Sequence, residues 1–128
     1  MMRGSCLCGG VRYEVTGAFG PAIHCHCSQC RKASGSSFAT NASVAASDFR
    51  IVAGGELLGR YESSPGQLRC FCSRCGSPVV KLYAGDVPFV RVRLGTLDDD
   101  AGIEVREHFH VGSKAPWTRI LDDLPQHP

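Results

Sequence analysis

The sequence predicts a mostly β fold of short antiparallel strands with little helix. Three observations carry that expectation. The 15 glycines and 7 prolines are scattered, so they cut the 128 residues into short pieces. Several pieces alternate apolar and polar side chains, the period of a half-buried strand. One stretch alone, residues 28–34, reads as a helix.

The elements follow in order. Cys8-Gly9-Gly10 forms a turn, and Val11 to Val15 then alternates as a strand. Gly17 through Pro21 is a second break. Ala22 to Cys27 reads as a strand bringing Cys25 and Cys27 to one face, because strand side chains repeat every second residue. His24 and His26 then face away from those sulfurs, as surface groups or behind the ligands. Ser28 to Ser34 is the helix, with Ser28 as N-cap and Gly35 as its stop. Ser37 to Ala42 and Arg50 to Val52 are short strand candidates on either side of a turn at Ser47-Asp48-Phe49. Leu57 to Glu62 is another strand, ended by the turn signal Ser63-Ser64-Pro65-Gly66.

Gln67 to Cys72 is expected to be extended, with Leu68, Cys70 and Cys72 on one face. Pro78 to Tyr83 and Phe89 to Leu94 are the clearest strands, and the face holding Arg91 and Arg93 is expected to be solvated. Asp98-Asp99-Asp100 with Gly102 is an acidic turn that lacks the ligand spacing of a calcium loop. Glu107 to Val111 is the last strand, with His108 and His110 on a solvated face. Trp117 is expected to pack in the core or at its rim. The segment from Asp122 onward is expected to be mobile.

A length of 128 residues suits one domain, residues 1–128, with a core of its own. The net charge of +2 gives no strong pull toward nucleic acid or membrane. No apolar run approaches the roughly 20 residues of a spanning helix. No apolar signal segment precedes the first cysteine, so the expected location is the cytoplasm.

That compartment decides how the 8 cysteines are read. A reducing cytosol does not sustain disulfides, and tight cysteine clusters then read as metal sites. A single intervening residue is awkward for a disulfide but suits two thiolates on one metal. The clusters are Cys6-x-Cys8, Cys25-x-Cys27-x-x-Cys30 and Cys70-x-Cys72-x-x-Cys75. Cys72-x-x-Cys75-Gly76 has the form of a metal-binding turn but supplies two ligands only. Cys6 and Cys8 are the natural pair to close it. The other four cysteines permit two arrangements. Either Cys70 completes a second closed four-thiolate site, or Cys25, Cys27 and Cys30 hold zinc with one position open. Closed sites are structural and open ones bind water or substrate.

Longer motifs carry a family resemblance. Gly4-Ser5-Cys6-Leu7-Cys8-Gly9-Gly10-Val11-Arg12-Tyr13 resembles the start of the glutathione-dependent formaldehyde-activating family, also called centromere-protein-V-like. His26-Cys27-Ser28-Gln29-Cys30-Arg31-Lys32 and Phe71-Cys72-Ser73-Arg74-Cys75-Gly76-Ser77 resemble its second and third motifs. Gly95-Thr96-Leu97-Asp98 and Ser113-Lys114-Ala115-Pro116-Trp117 resemble its carboxy-terminal signatures. The match runs from about Gly4 to Ile120. It implies an Mss4-like, zinc-containing β-tent. It implies a structural zinc held by Cys6, Cys8, Cys72 and Cys75 and a catalytic zinc site on Cys25, Cys27 and Cys30 at which the substrate thiol binds; two zinc ions per chain are expected, the second of them labile. Cys70 has no ligand counterpart in that pattern.

The implied activity is that of a carbon–sulfur lyase that joins a thiol such as glutathione to a small aldehyde such as formaldehyde. Arg31, Lys32 and Lys114 are candidates, from charge, to hold a carboxylate of that thiol. A second class of function also suits these residues: a zinc-stabilised thiol-binding or protein-interaction module without turnover, with Cys70 as a fourth ligand. A nucleic-acid-binding zinc ribbon is disfavoured, since no basic–aromatic stripe is present. Exposed strand edges would allow a homodimer.

Overall fold

The computed structural model describes all 128 residues. Ten strands form two sheets, and one α-helix packs beside them. The first sheet joins β1 (Met2–Ser5), β2 (Arg12–Val15) and β5 (Phe49–Ala53) in the order β1-β2-β5. The second contains β3 (Ala22–Cys25), β4 (Ala39–Ala45), β6 (Leu58–Ser64), β7 (Gln67–Cys72), β8 (Pro78–Tyr83), β9 (Phe89–Arg93) and β10 (Val105–Phe109). Its order is β10-β3-β4-β9-β8-β7-β6. All pairings are antiparallel except β10 with β3, which run parallel. The helix α1 spans Ser28–Ser34. The mostly β expectation holds, as do the bounds of α1, β7 and β8.

The register of the seven-stranded sheet explains its two faces. Cys70 lies opposite Val80, and Val80 opposite Val92. This face buries valine and cysteine against the small sheet in one core of Cys6, Val11, Tyr13, Val15, Val44, Val79, Val90 and their neighbours. Short branched side chains suit a surface where each residue meets cross-strand partners at about 5 Å. Tyr13 is 1% exposed, and its hydroxyl shares a 2.7 Å hydrogen bond with Thr96 Oγ1. Its ring lies where a Cβ on Gly4 would stand, so β1 requires glycine there.

The opposite face alternates out of phase with the core and carries polar side chains. Arg69 lies opposite Lys81, Lys81 opposite Arg91, and Arg91 opposite Ser43. One step along, Arg93 lies opposite Asn41, and Asn41 opposite Ile23. The expectation that Arg91 and Arg93 lie on a solvated face is therefore corrected. The face forms the wall of a cleft, and Arg93 is 8% exposed.

Several local expectations are also corrected. The N-cap of α1 is Cys27, whose Sγ accepts a hydrogen bond from the Cys30 amide at 3.3 Å, so Ser28 lies inside the helix. Gly35 stops it as expected, in the left-handed region at φ 62°. The last strand ends at Phe109 because His110 turns out of it at φ 56°. His108 is 2% exposed rather than solvated. Trp117 is 70% exposed and belongs to no core.

The carboxy-terminal segment is docked. The His108 amide donates to Pro125 O and the His127 amide to His108 O, both at 2.9 Å. Asp122 accepts from His108 Nε2 at 3.0 Å. These bonds cover the free edge of β10, where unpaired strand amides would otherwise stand. No helix is long and apolar enough to cross a membrane.

Candidate functional site

Seven of the eight cysteines gather into two groups. The first is Cys6, Cys8, Cys72 and Cys75, whose sulfurs lie within 4.8 Å of one another. Cys6 and Cys8 come from the loop after β1. Cys72 ends β7, and Cys75 sits in the turn before β8. That turn is closed by the Gly76 amide donating to Cys72 O at 2.7 Å, with Gly76 at φ 82°. Cys6 and Cys8 sulfurs are 3.5 Å apart, and Cys8 and Cys72 sulfurs 3.8 Å.

A tetrahedron with metal–sulfur bonds of about 2.3 Å has sulfur–sulfur edges of about 3.8 Å, so this donor set fits zinc. The protein also supplies donors to the sulfurs. The Val11 amide reaches Cys6 Sγ at 3.2 Å, and Arg74 Nε reaches Cys8 Sγ at 3.3 Å. The Gly10 amide and Arg74 lower the pKa of Cys8, and hydrogen bonds from Ser77 bring Cys75 to about 5. With four sulfurs assembled, the group has no position left for a substrate.

The second group is Cys25, Cys27 and Cys30, again with sulfurs within 4.8 Å. Cys25 ends β3, Cys27 caps α1 and Cys30 lies in its first turn, so a strand end and a helix start converge. Cys30 is brought to about 4, first by the Cys25 thiol donating to it, then by Cys27 and Arg69. Cys25 is pushed up by that same hydrogen bond and by burial. Arg69 places both terminal guanidinium nitrogens near Cys30 Sγ, at 3.8 and 3.9 Å. These three soft donors at a thiolate-favouring point fit one metal ion with a position to spare.

Cys70 joins neither group. Its side chain is 2% exposed in the valine core, and its sulfur lies 3.6 Å from Leu68 O. The arrangement with Cys70 closing a second four-thiolate site is therefore excluded by position.

The three-cysteine group opens onto a cleft of about 520 Å³ over the polar face of the large sheet. Arg69, Lys81, Arg91, Arg93, Asn41 and Phe109 are among its walls. A larger opening of about 600 Å³ lies beside Met2, Phe19 and Ile103, away from both cysteine groups. Arg31, Lys32 and Lys114, singled out by charge, do not line the cleft. Successive helical residues point about 100° apart, so the two that follow Cys30 leave its direction. Lys114 Nζ is held behind, donating to Thr118 O at 2.6 Å.

On the far side of β3 is a buried imidazole chain that the sequence reading placed partly at the surface. His26 is fully buried and shares a 2.8 Å hydrogen bond between its Nε2 and His108 Nδ1. His108 in turn meets Asp122. His24 shares a 2.9 Å hydrogen bond with Thr40 Oγ1, and burial brings it to about 4. These rings back the strand that presents Cys25, but they do not reach its sulfur face.

A family model described as glutathione-dependent formaldehyde-activating enzyme matches residues 1–113. The chain belongs to the glutathione-dependent formaldehyde-activating family. It is 42% identical over 129 residues to a protein of Halomonas elongata named putative glutathione-dependent formaldehyde-activating enzyme. That alignment covers 94% of this chain and 81% of the relative. A crystal structure of a Rhodobacter sphaeroides protein is similar, with a TM-score of 0.66 and 31% identity. The superposition covers 77% of this chain and 90% of the other. Family, fold and the two cysteine groups thus agree with one another.

Proposed function

We propose that this protein binds a glutathione-like thiol at Cys25, Cys27 and Cys30 and adds it to a small aldehyde of the formaldehyde type. The observation that carries the reading is the contrast between the two groups: one closes with four sulfurs, and the other has three and faces a cleft. Each group is assigned one zinc ion, two per chain, with the four-cysteine site structural. A zinc ion held by Cys25, Cys27 and Cys30 would lower the pKa of an incoming thiol and so make it available as thiolate at neutral pH.

The chain's own groups do the rest. Arg69 lies against Cys30 and stabilises negative charge on the sulfur group. Asn41 and Phe109 line the same cleft and bound the space a substrate would occupy beside the sulfurs. In the addition a carbon–sulfur bond forms, the carbonyl π bond opens, and the proton lost by the thiol ends on the former carbonyl oxygen. No oxidant or reductant is needed.

The module without turnover shares the thiol-binding half of this scheme. Its motive was a fourth ligand at Cys70, and that sulfur is packed among valines. The test is the rate of thiohemiacetal exchange between glutathione and formaldehyde, followed by exchange NMR with zinc-loaded protein. A rate above buffer that is lost in Cys27→Ser supports the enzyme. Thiol binding with the buffer rate supports the module.

A further inference from the structure

The polar face of the large sheet carries a charge pattern that folding alone disfavours. Register places Arg69, Lys81 and Arg91 directly side by side on three adjacent strands. Arg93 stands two residues beyond Arg91 on the same face. Like charges directly opposite each other on neighbouring strands destabilise a sheet. None of the four has a carboxylate partner, since the four ion pairs of the molecule are Arg3–Asp99, Arg50–Glu14, His108–Asp122 and His127–Glu107. The one acidic residue lining the cleft, Glu107, is already engaged by His127 at 3.1 Å.

The cations are also held in place rather than left free. Arg69 is 9% exposed, with its Nε donating to Ser63 Oγ at 2.9 Å. Arg93 is 8% exposed and donates to Asn41 Oδ1. Arg91 Nε donates to Tyr83 Oη at 3.0 Å. Lys81 has its ammonium 5.5 Å from the Tyr83 ring centroid. Arg69 and Arg93 face the Cys30 sulfur, whereas Lys81 and Arg91 have no anionic partner, and such fixed cations on a cleft wall form a site for an anion. Three thiolates and one divalent ion carry a single net negative charge, so the four cations leave the cleft positive.

Geometry limits which anion fits. Arg69 touches Cys30 Sγ, so it belongs to the sulfur end of the cleft. Lys81 and Arg91 lie one and two strands further, about 5 and 10 Å away at the usual spacing. Resting on the thiol-binding reading above, we propose that Lys81 and Arg91 form a carboxylate-recognition strip. It selects thiols whose carboxylate lies several bonds from the sulfur and discriminates against thiols without a negative charge.

The experiment is calorimetric titration of the zinc-loaded protein with three probes: glutathione, its glycyl monoethyl ester and cysteamine. A hydrogen bond to a charged group contributes roughly a ten- to hundredfold difference in affinity. The wild type is expected to bind glutathione at least about tenfold more tightly than the ester, and cysteamine more weakly still. In Lys81→Gln and Arg91→Gln, glutathione binding should fall while ester binding changes little, so the preference shrinks. Equal affinity of the wild type for all three thiols overturns the strip and leaves thiol binding standing. Absence of binding by every thiol overturns the strip together with the reading it rests on. The wild-type comparison needs no variant, so a variant that fails to fold does not protect the proposal.

Discussion

Replacing Cys70 by alanine separates packing from metal binding. The Cys70 side chain lies in the valine core opposite Val80, and its sulfur is outside both cysteine groups. Removing one buried sulfur resembles removing a buried methyl group, which costs about 1 kcal/mol including the small cavity left behind. For a domain of this size, 1 kcal/mol moves the melting temperature by about 4 °C. Cys70→Ala should therefore melt about 4 °C lower and keep its full metal content. The assay is metal per chain by mass spectrometry on protein purified without chelator, with a thermal melt of the same sample. Cys30→Ala is the contrast and should lose one metal per chain. If Cys70→Ala loses a metal equivalent, the three-cysteine assignment fails.

Three further outcomes follow from named contacts. Gly4→Ala puts a methyl group into the Tyr13 ring and should cost about 1–3 kcal/mol, read from a denaturant midpoint. Asp122 has its pKa lowered chiefly by the hydrogen bond from His108, so its stabilisation is present above the unfolded carboxylate value of about 3.9 and is lost as pH falls through the lower folded value. The stability gap between wild type and Asp122→Asn should thus be full at neutral pH and close below about pH 4 in acid titration. Lys81→Met removes the central member of an unpaired row of like charges. It should raise the melting temperature by about 2 °C in scanning calorimetry, and a fall would show that the row is not under repulsion.

The Cys25-x-Cys27-x-x-Cys30 spacing and the turn at Cys72-x-x-Cys75-Gly76 were legible because they are local in sequence, whereas joining that turn to Cys6 and Cys8 rested on ligand count. The helix at Ser28–Ser34 was legible for the same reason, although its cap moved to Cys27 once that residue left the strand. What was hidden depends on register. Arg69, Lys81 and Arg91 come from three strands, and nothing in the spacing of residues 69, 81 and 91 says that they stand side by side. A charged strand face read alone looks solvated, and it becomes a cleft wall because residues of α1 and of the β3 and β10 strands, such as Cys30, Cys25 and Phe109, line the same space. β1 was missed because Met2–Ser5 holds a glycine and does not alternate; it is held by pairing with β2. The burial of His26 and His108 was hidden because their cover, Asp122 to His127, lies far along the chain in a segment without regular structure. Cys70 was ambiguous because its spacing from Cys72 repeats that of Cys25 from Cys27, and only its position in the core distinguishes it.

The most direct test of the central claim uses cobalt in place of zinc. Thiolate-to-cobalt charge-transfer absorption reports how many sulfurs bind, and it can be read during a titration with glutathione. The account predicts that the band grows to saturation as a fourth sulfur enters the Cys25, Cys27 and Cys30 site, and that Cys27→Ser abolishes the growth while the Cys6, Cys8, Cys72 and Cys75 signal persists. A band that glutathione leaves unchanged in the wild type would contradict the account, because the three-cysteine group would then have no position open to a thiol.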